Sequence, residues 1–211
     1  MKKKHILLLV TILLSSILAY GNIVNISSVT QARSNVGPSD WLFFDIDETL
    51  ITAPLGSELS QLIDNNLLDF FADIKRDGAR CFALTARIYD KFYTQQQLEK
   101  LGIFMDKLIP SYRFSNEQPL FEIEGSIYYS GDPFAGFREG IIFSGGITPK
   151  SSALISFLRH ALRIGITLPK RILFFDDLLD NLIDVKKISS ILHNEFGIQE
   201  VRLFHVQKTL S

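Results

Sequence analysis

The chain carries a single cysteine, Cys81, and four histidines in 211 residues. One cysteine excludes an internal disulfide, so the fold must stand on its hydrophobic core. Cys81 lies in the apolar stretch Arg80-Cys81-Phe82-Ala83-Leu84 and reads as a small buried hydrophobe. Scattered histidines and a lone thiol also exclude a cysteine/histidine zinc cluster. Basic excess is missing too: the formal charge is −1 and no basic stripe stands out. Nucleic-acid binding by phosphate neutralisation is therefore not expected. Beyond the first residues no long charge-free apolar run occurs, so no membrane span is expected in the body of the chain.

The N-terminus has a pattern of its own. Lys2, Lys3, Lys4 and His5 give a basic start, and an uncharged run follows from Ile6 to Tyr20. That run is short of the roughly 20 residues that cross a bilayer. Small residues at Ala19 and Gly21 suit a signal peptidase site. Residues 1–21 are expected to be a secretory signal peptide, with an uncleaved anchor as the alternative. Either way the rest of the chain is expected to be exported, to the periplasm, the cell surface or the medium. Cleavage removes the three lysines and takes the formal charge from −1 to −4. The remaining chain suits one domain with at most a small insertion. Oligomeric state is left open.

Residues 22–39 are rich in Ser, Asn and Val and read as a linker with room for one short strand. From residue 40 onward, apolar segments alternate with amphipathic ones. Trp41 to Phe44, Cys81 to Thr85 and Ile172 to Phe175 read as buried strands, and Glu200 to Val206 as a last one. Leu59, Leu62, Ile63, Leu67, Phe70, Phe71 and Ile74 recur at helical spacing up to Asp77-Gly78. Further helices are expected over 89–101, 149–164 (with Leu154, Ile155, Leu158 and Leu162 on one face) and from Asp177 to about Phe196. Residues 110–146, rich in Phe, Tyr and Gly, read as a β-rich flap. Non-alternating strands separated by helices predict an α/β fold: a Rossmann-like parallel sheet with helices on both faces over 40–211.

Three of the strands end in polar groups: Asp45-Ile46-Asp47-Glu48-Thr49, Thr85-Ala86-Arg87 and Asp176-Asp177. In open α/β sheets ligands bind beyond the carboxyl ends of the strands. Buried carboxylates side by side need a counter-charge. A divalent cation is the obvious partner, and an all-oxygen donor set favours Mg²⁺ over Zn²⁺.

Phe43-Phe44-Asp45-Ile46-Asp47-Glu48-Thr49-Leu50 resembles the first motif, DxDx[TV], of the haloacid dehalogenase-like (HAD) superfamily. Thr85 is similar to its second motif, Lys150 to its third, and Asp176-Asp177 with Asn181 to its fourth. The order agrees, and the four cover roughly Trp41 to Asn181. The resemblance implies that Asp45 attacks phosphorus and that Asp47 acts as acid and then base. It implies that Thr85 binds a phosphoryl oxygen and that Lys150 neutralises charge on Asp45 and the phosphate. Mg²⁺ would be held by Asp45, the backbone carbonyl of Asp47 and Asp177, which is favoured over Asp176 as the direct ligand. Ala86 joins Thr85, Arg87 and Lys150 as a substrate-binding candidate. Arg87 has two readings, a substrate phosphate contact or a pair with Asp90. Glu48 fills a slot that is often Gly in this superfamily; secreted acid phosphatases of the same superfamily are similar there. His160, His193 and His205 read as structural residues away from these motifs.

The expected function is an exported Mg²⁺-dependent phosphomonoester hydrolase with an aspartyl-phosphate intermediate. Its substrate would be a phosphorylated small molecule or a phosphoryl group on a larger one. The interval from Thr49 to Thr85 is mostly taken up by a core helix. That from Thr85 to Lys150 leaves room for a modest flap and no large cap. The flap aromatics Phe114, Phe121, Tyr128, Tyr129, Phe134, Phe137 and Phe143 would pack on the core or line the entrance. A non-catalytic exported surface protein and a phosphotransferase are the alternatives.

Overall fold

The computed structural model describes residues 20–52, 59–89, 92–114, 119–123, 126–129, 135–146 and 148–207. Most of the expected leader, together with Asp90 and Phe134, lies outside the described residues, as do the side chains of Phe121, Tyr128 and Tyr129. The elements in chain order are β1 (Tyr20–Ile26), a 3-10 helix (Val29–Asn35), β2 (Trp41–Phe44), β3 (Ile51–Thr52) and β4 (Gln61–Leu62). A helix (Leu67–Arg76), β5 (Arg80–Thr85), a second helix (Tyr93–Lys100), β6 (Tyr112–Arg113), β7 (Pro119–Ile123) and β8 (Ser126–Tyr129) follow. The chain continues through β9 (Gly136–Arg138), β10 (Ile141–Phe143), a helix (Lys150–Arg163) and β11 (Arg171–Asp176). Helices Leu179–Lys187 and Ser189–Phe196 then lead to β12 (Glu200–Val206).

The protein is α/β, with a mostly parallel central sheet in the order β1-β12-β11-β2-β5-β10-β9-β6. The pairs from β1 to β10 are parallel, and β9 and β6 extend the sheet antiparallel at one edge. Alternate side chains of each strand face opposite sides. Trp41, Phe43, Phe82, Ile172 and Phe174 pack with Leu154, Phe157 and Leu158 of the helix Lys150–Arg163 and with Leu182 and Leu192 of the two helices after β11. Leu42, Phe44, Ala83, Leu173 and Phe175 pack on the other face with Phe70, Phe71 and Ile74 of the helix Leu67–Arg76. The Phe44 ring stacks on Phe175 at 4.8 Å, and Phe175 on Phe204 at 4.7 Å. Fully burying each such side chain stabilises the fold by roughly 1.5–3 kcal/mol. The buried residues Leu67, Phe70, Phe71 and Ile74 lie on one helical stripe, and Gly78 at φ +95° ends that helix.

Four expectations need correction. Residues 22–39 hold the one short strand expected, as most of β1 paired along β12, but they are more than a linker: the 3-10 helix follows, and its Val29 and Ala32 are buried. The helical spacing from Leu59 is fortuitous. Residues Ile51–Thr52 and Gln61–Leu62 form a hairpin, Leu59 is 79% exposed, and the helix starts only at Leu67. There the Asp64 carboxylate accepts the Asn66 N–H and ends the extended segment. The flap is smaller than expected. β6, β9 and β10 belong to the central sheet, with Phe114, Phe137 and Phe143 buried, while β7 and β8 pair as a separate hairpin. Finally, the second helix spans Tyr93–Lys100 rather than 89–101, two helices rather than one follow β11, and Leu162 is 43% exposed. Among the described residues no helix is long and apolar enough to cross a membrane.

Candidate active site

β2 lies between β11 and β5, so the carboxyl ends of these three strands are neighbours. The Asp45 N–H donates to the Phe175 carbonyl at 2.8 Å, which extends the β2–β11 ladder one residue past the strand. That bond holds Asp45 beside Asp176, the last residue of β11. After Asp45 the chain turns sharply: the N–H groups of Leu50 and Ile51 both donate to the Ile46 carbonyl. Glu48 sits in this turn at φ +62°, the left-handed region where glycine is at ease. The position therefore carries backbone strain with glutamate in place of glycine, and the Glu48 carboxylate accepts a hydrogen bond from Thr52 Oγ1.

Lys150, the first residue of its helix, reaches back into this corner and is 4% exposed. Its Nζ donates to Asp45 Oδ1 at 2.5 Å and to Asp176 Oδ2 at 2.6 Å. The other oxygen of Asp176 accepts the Leu178 N–H and the Asn181 Nδ2, both at 2.9 Å. Both oxygens of this fully buried acid are thereby used. Asp177, next along, is half-buried. Oxygens of Asp45, Asp176 and Asp177 lie within 4.8 Å of one another. Burial pushes the Asp45 carboxyl up to about 7, with Asp176 and Asp177 adding to the shift and Lys150 opposing it. Asp177 is raised in the same direction by burial and by Asp176. Burial alone would lower the Lys150 ammonium, but Asp45 and Asp176 outweigh it and hold Lys150 above the ordinary lysine value. Among the described residues the corner thus holds one cation, Lys150, against three acids, two of them buried and one half-buried. That donor set of hard oxygens suits a small divalent cation.

On the β5 side, Thr85 is buried and its Oγ1 accepts the Arg87 N–H at 3.3 Å. Ala86 is exposed and lines a pocket of about 240 Å³ beside Lys150, together with Ser144, Gly146, Thr148, Asn181 and Asp184. The Asp47 side chain is 57% exposed and turns away from the three clustered acids to a bidentate pair with Arg87. All eight candidate residues therefore gather at the carboxyl ends of the central strands, with Asp45 between the Asp176–Asp177 side and the Thr85–Arg87 side.

His205 is closer to this site than its place in the sequence suggests. It pairs with Asp176 across β12 and β11, and its Nε2 lies 3.0 Å from the Asp177 carbonyl oxygen. Strand register alone brings it there, and no local pattern marks it. His160 stacks on Tyr112 at 3.7 Å, and His193 Nδ1 lies 3.4 Å from the Ile198 carbonyl oxygen. Cys81 is fully buried, and burial pushes its thiol up, away from reactivity.

The model of the family described as "Protein of unknown function (DUF2608)" matches residues 56–199. The chain belongs to this family. No curated protein and no solved structure matches it. The DUF2608 segment contains Thr85, Arg87, Lys150, Asp176 and Asp177, while Asp45 and Asp47 precede it. In this chain the DUF2608 segment supplies the cation and the paired acids, and the residues before it supply the acid at the centre.

Proposed function

We propose that this DUF2608 protein is an exported, Mg²⁺-dependent phosphomonoester hydrolase of HAD-like type, with Asp45 as the nucleophile. The observation that carries the reading is the buried group of Asp45, Lys150 and Asp176 beside Asp177, flanked by the Thr85 hydroxyl, at three adjacent strand ends. Mg²⁺, when bound, supplies charge neutralisation and a fixed frame for phosphoryl oxygens. The residues that would hold it are Asp45, Asp177 and the Asp47 backbone carbonyl. Asp177 is preferred to Asp176 because both oxygens of Asp176 are already engaged by Lys150, Leu178 and Asn181.

In the first step an Asp45 oxygen forms a bond to phosphorus as the ester P–O bond breaks, and Asp47 gives its proton to the departing oxygen. In the second, Asp47 takes a proton from water. The water oxygen bonds to phosphorus, and the bond to Asp45 breaks to release inorganic phosphate. Lys150 balances charge on the phosphoryl oxygens, and the Thr85 hydroxyl donates to one of them. Export rests on the basic start and the apolar run of residues 1–21; β1 keeps its Ile23–Ile26 pairing with β12 if cleavage follows Gly21.

The test is hydrolysis of a generic aryl phosphate with Mg²⁺, with EDTA and with Asp45→Asn. Metal-dependent turnover that falls by at least about a thousandfold in the variant is the expected result for loss of a nucleophile. No turnover by well-folded protein with any divalent metal between about pH 5 and 8, the span over which Asp45 ionises, would overturn the reading.

A further inference from the structure

Arg87 is expected to bind a substrate phosphate or to pair with Asp90, which lies outside the described residues; its described contacts converge on Asp47. Its Nε donates to Asp47 Oδ2 at 2.9 Å and its Nη2 to Asp47 Oδ1 at 2.6 Å. Its Nη1 donates to Gln97 Oε1 at 2.5 Å and, more weakly, to Thr94 Oγ1 at 3.4 Å. Thr94 and Gln97 both belong to the helix Tyr93–Lys100, and the Gln97 Nε2 donates in turn to Ser60 Oγ. The Arg87 backbone is pinned as well: its N–H donates to Thr85 Oγ1, and its carbonyl accepts the Gly145 N–H at 3.1 Å. Counting partners among the described residues, one N–H of the guanidinium, on Nη2, remains. That is too little for a forked grip on a phosphate, which takes two parallel bonds.

We infer that Arg87 is the positioning residue for Asp47: it fixes the acid's carboxylate on the β5 side of the site, opposite the paired acids of β11. The inference rests on the hydrolase reading for what Asp47 does, and on geometry alone for what Arg87 does. Asp47 is more than half exposed, whereas Arg87 is mostly buried and tied to the helix Tyr93–Lys100 as well. The bidentate fork therefore fixes the direction of a surface side chain. It holds Asp47 on the leaving-group side while Lys150 holds Asp45, and one bond of the fork yields when Asp47 carries its proton. Lysine cannot substitute, because a point charge makes no fork.

The experiment compares wild type, Arg87→Ala, Arg87→Lys and Asp47→Asn, each with Mg²⁺, on an aryl phosphate with an acidic phenol and on a simple alkyl phosphate. An alkoxide leaving group needs the proton from Asp47 more than a phenoxide does. Arg87→Ala is expected to lower kcat at least about tenfold more on the alkyl ester than on the aryl ester, with KM within about threefold, because it acts through a misplaced acid. Arg87→Lys should fall between. The loss in the double variant with Asp47→Asn should match that of Asp47→Asn alone, as coupled residues do. A rise in KM on both esters with kcat retained would overturn the inference in favour of substrate binding. Equal losses on both esters would overturn it in favour of a structural role.

Amide exchange across residues 45–52 gives a readout that needs no activity. Arg87→Ala should speed exchange there by about fivefold or more, a local opening with the rest of the sheet unchanged. Unchanged exchange would overturn the inference even if the enzyme is active. Faster exchange in a protein that hydrolyses neither ester would uphold the clamp and remove the hydrolase reading.

Discussion

The Lys150 ammonium lies 2.5 Å from the Asp45 carboxylate, and both groups are nearly closed to solvent. Asp176, also fully buried, takes the same ammonium at 2.6 Å. Removing one partner of a buried pair costs about 3–5 kcal/mol, because the other charge is left without compensation. Lys150→Met is therefore expected to lower the melting temperature of metal-free protein by about 6–20 °C for a chain of this size. Millimolar Mg²⁺ should win back more of that loss than it adds to the wild type, since a dication replaces the missing cation. Adding Asp45→Asn to Lys150→Met should recover part of it without metal. Thermal unfolding of the three proteins decides the matter: an unchanged melting point in Lys150→Met would mean that the pair is not what balances the buried acids.

The two acids that end β11 have different surroundings, and their variants should part company. Asp176 accepts from Lys150, Leu178 and Asn181, so Asp176→Asn is expected to destabilise the fold by about 1–3 kcal/mol through mismatched buried hydrogen bonds. Asp177 is half-buried and raised by its neighbours, so Asp177→Asn should leave the metal-free melting point unchanged or slightly higher. The same change should weaken Mg²⁺ binding by about tenfold or more, as loss of a charged ligand does. Calorimetric titration with Mg²⁺ together with thermal unfolding tests both. If Asp176→Asn lost the metal and Asp177→Asn did not, the direct ligand would be Asp176.

Much of this site could be read from local pattern, and the parts that could not share a cause. An apolar run ending in Asp, Thr or Asp-Asp announces itself within a few residues, as β2, β5 and β11 do. The stripe of Leu154, Ile155 and Leu158 likewise places Lys150 at the start of a core helix. What was missed depends on register between distant segments. The place of β1 in the sheet is recognisable only through its pairing with β12, the position of His205 only through its alignment with Asp176, and the Arg87 clamp only through a partner 40 residues away. The opposite error has the same root. Leu59 and Leu62 fall at helical spacing, yet Ile51 pairs with Leu62 and Thr52 with Gln61 across a hairpin, and tertiary pairing overrides local periodicity.

Folding raises the Asp45 carboxyl from 3.8 to about 7, chiefly through burial. Between those values the folded chain keeps a proton that the unfolded chain has released. This residue therefore makes the metal-free fold progressively less stable as pH rises from about 4 to about 7. For metal binding the direction is opposite. Below about pH 7 a cation must expel the Asp45 proton, so affinity for Mg²⁺ should climb with pH and level off above that point. Calorimetry at pH 6 and at pH 8, in two buffers of different ionisation enthalpy, should find about one proton released per metal at the lower pH and close to none at the higher. Affinity that does not change across this range would show that Asp45 is not a ligand.

Among the described residues β1 lies at the edge of the sheet and pairs only with β12, yet the segment that contains it does more than extend a ladder. Val29 and Ala32 of the 3-10 helix are almost wholly buried, and Ile26 and Val36 pack against the same cluster as Phe44 and Phe204. A chain that begins at Asn22 keeps these contacts and the Ile23–Ile26 pairing, whereas one that begins at Asp40 loses them all. The longer form is expected to fold. The shorter one should melt more than about 10 °C lower, given the few degrees that each kcal/mol is worth in a chain of this size. It should also associate through the bared edge of β12, since an uncovered strand edge is a template for pairing. Thermal unfolding and light scattering of the two forms decide between a structural role and a linker. Matching melting points and a monomeric short form would restore the linker reading and place the start of the folded domain at β2.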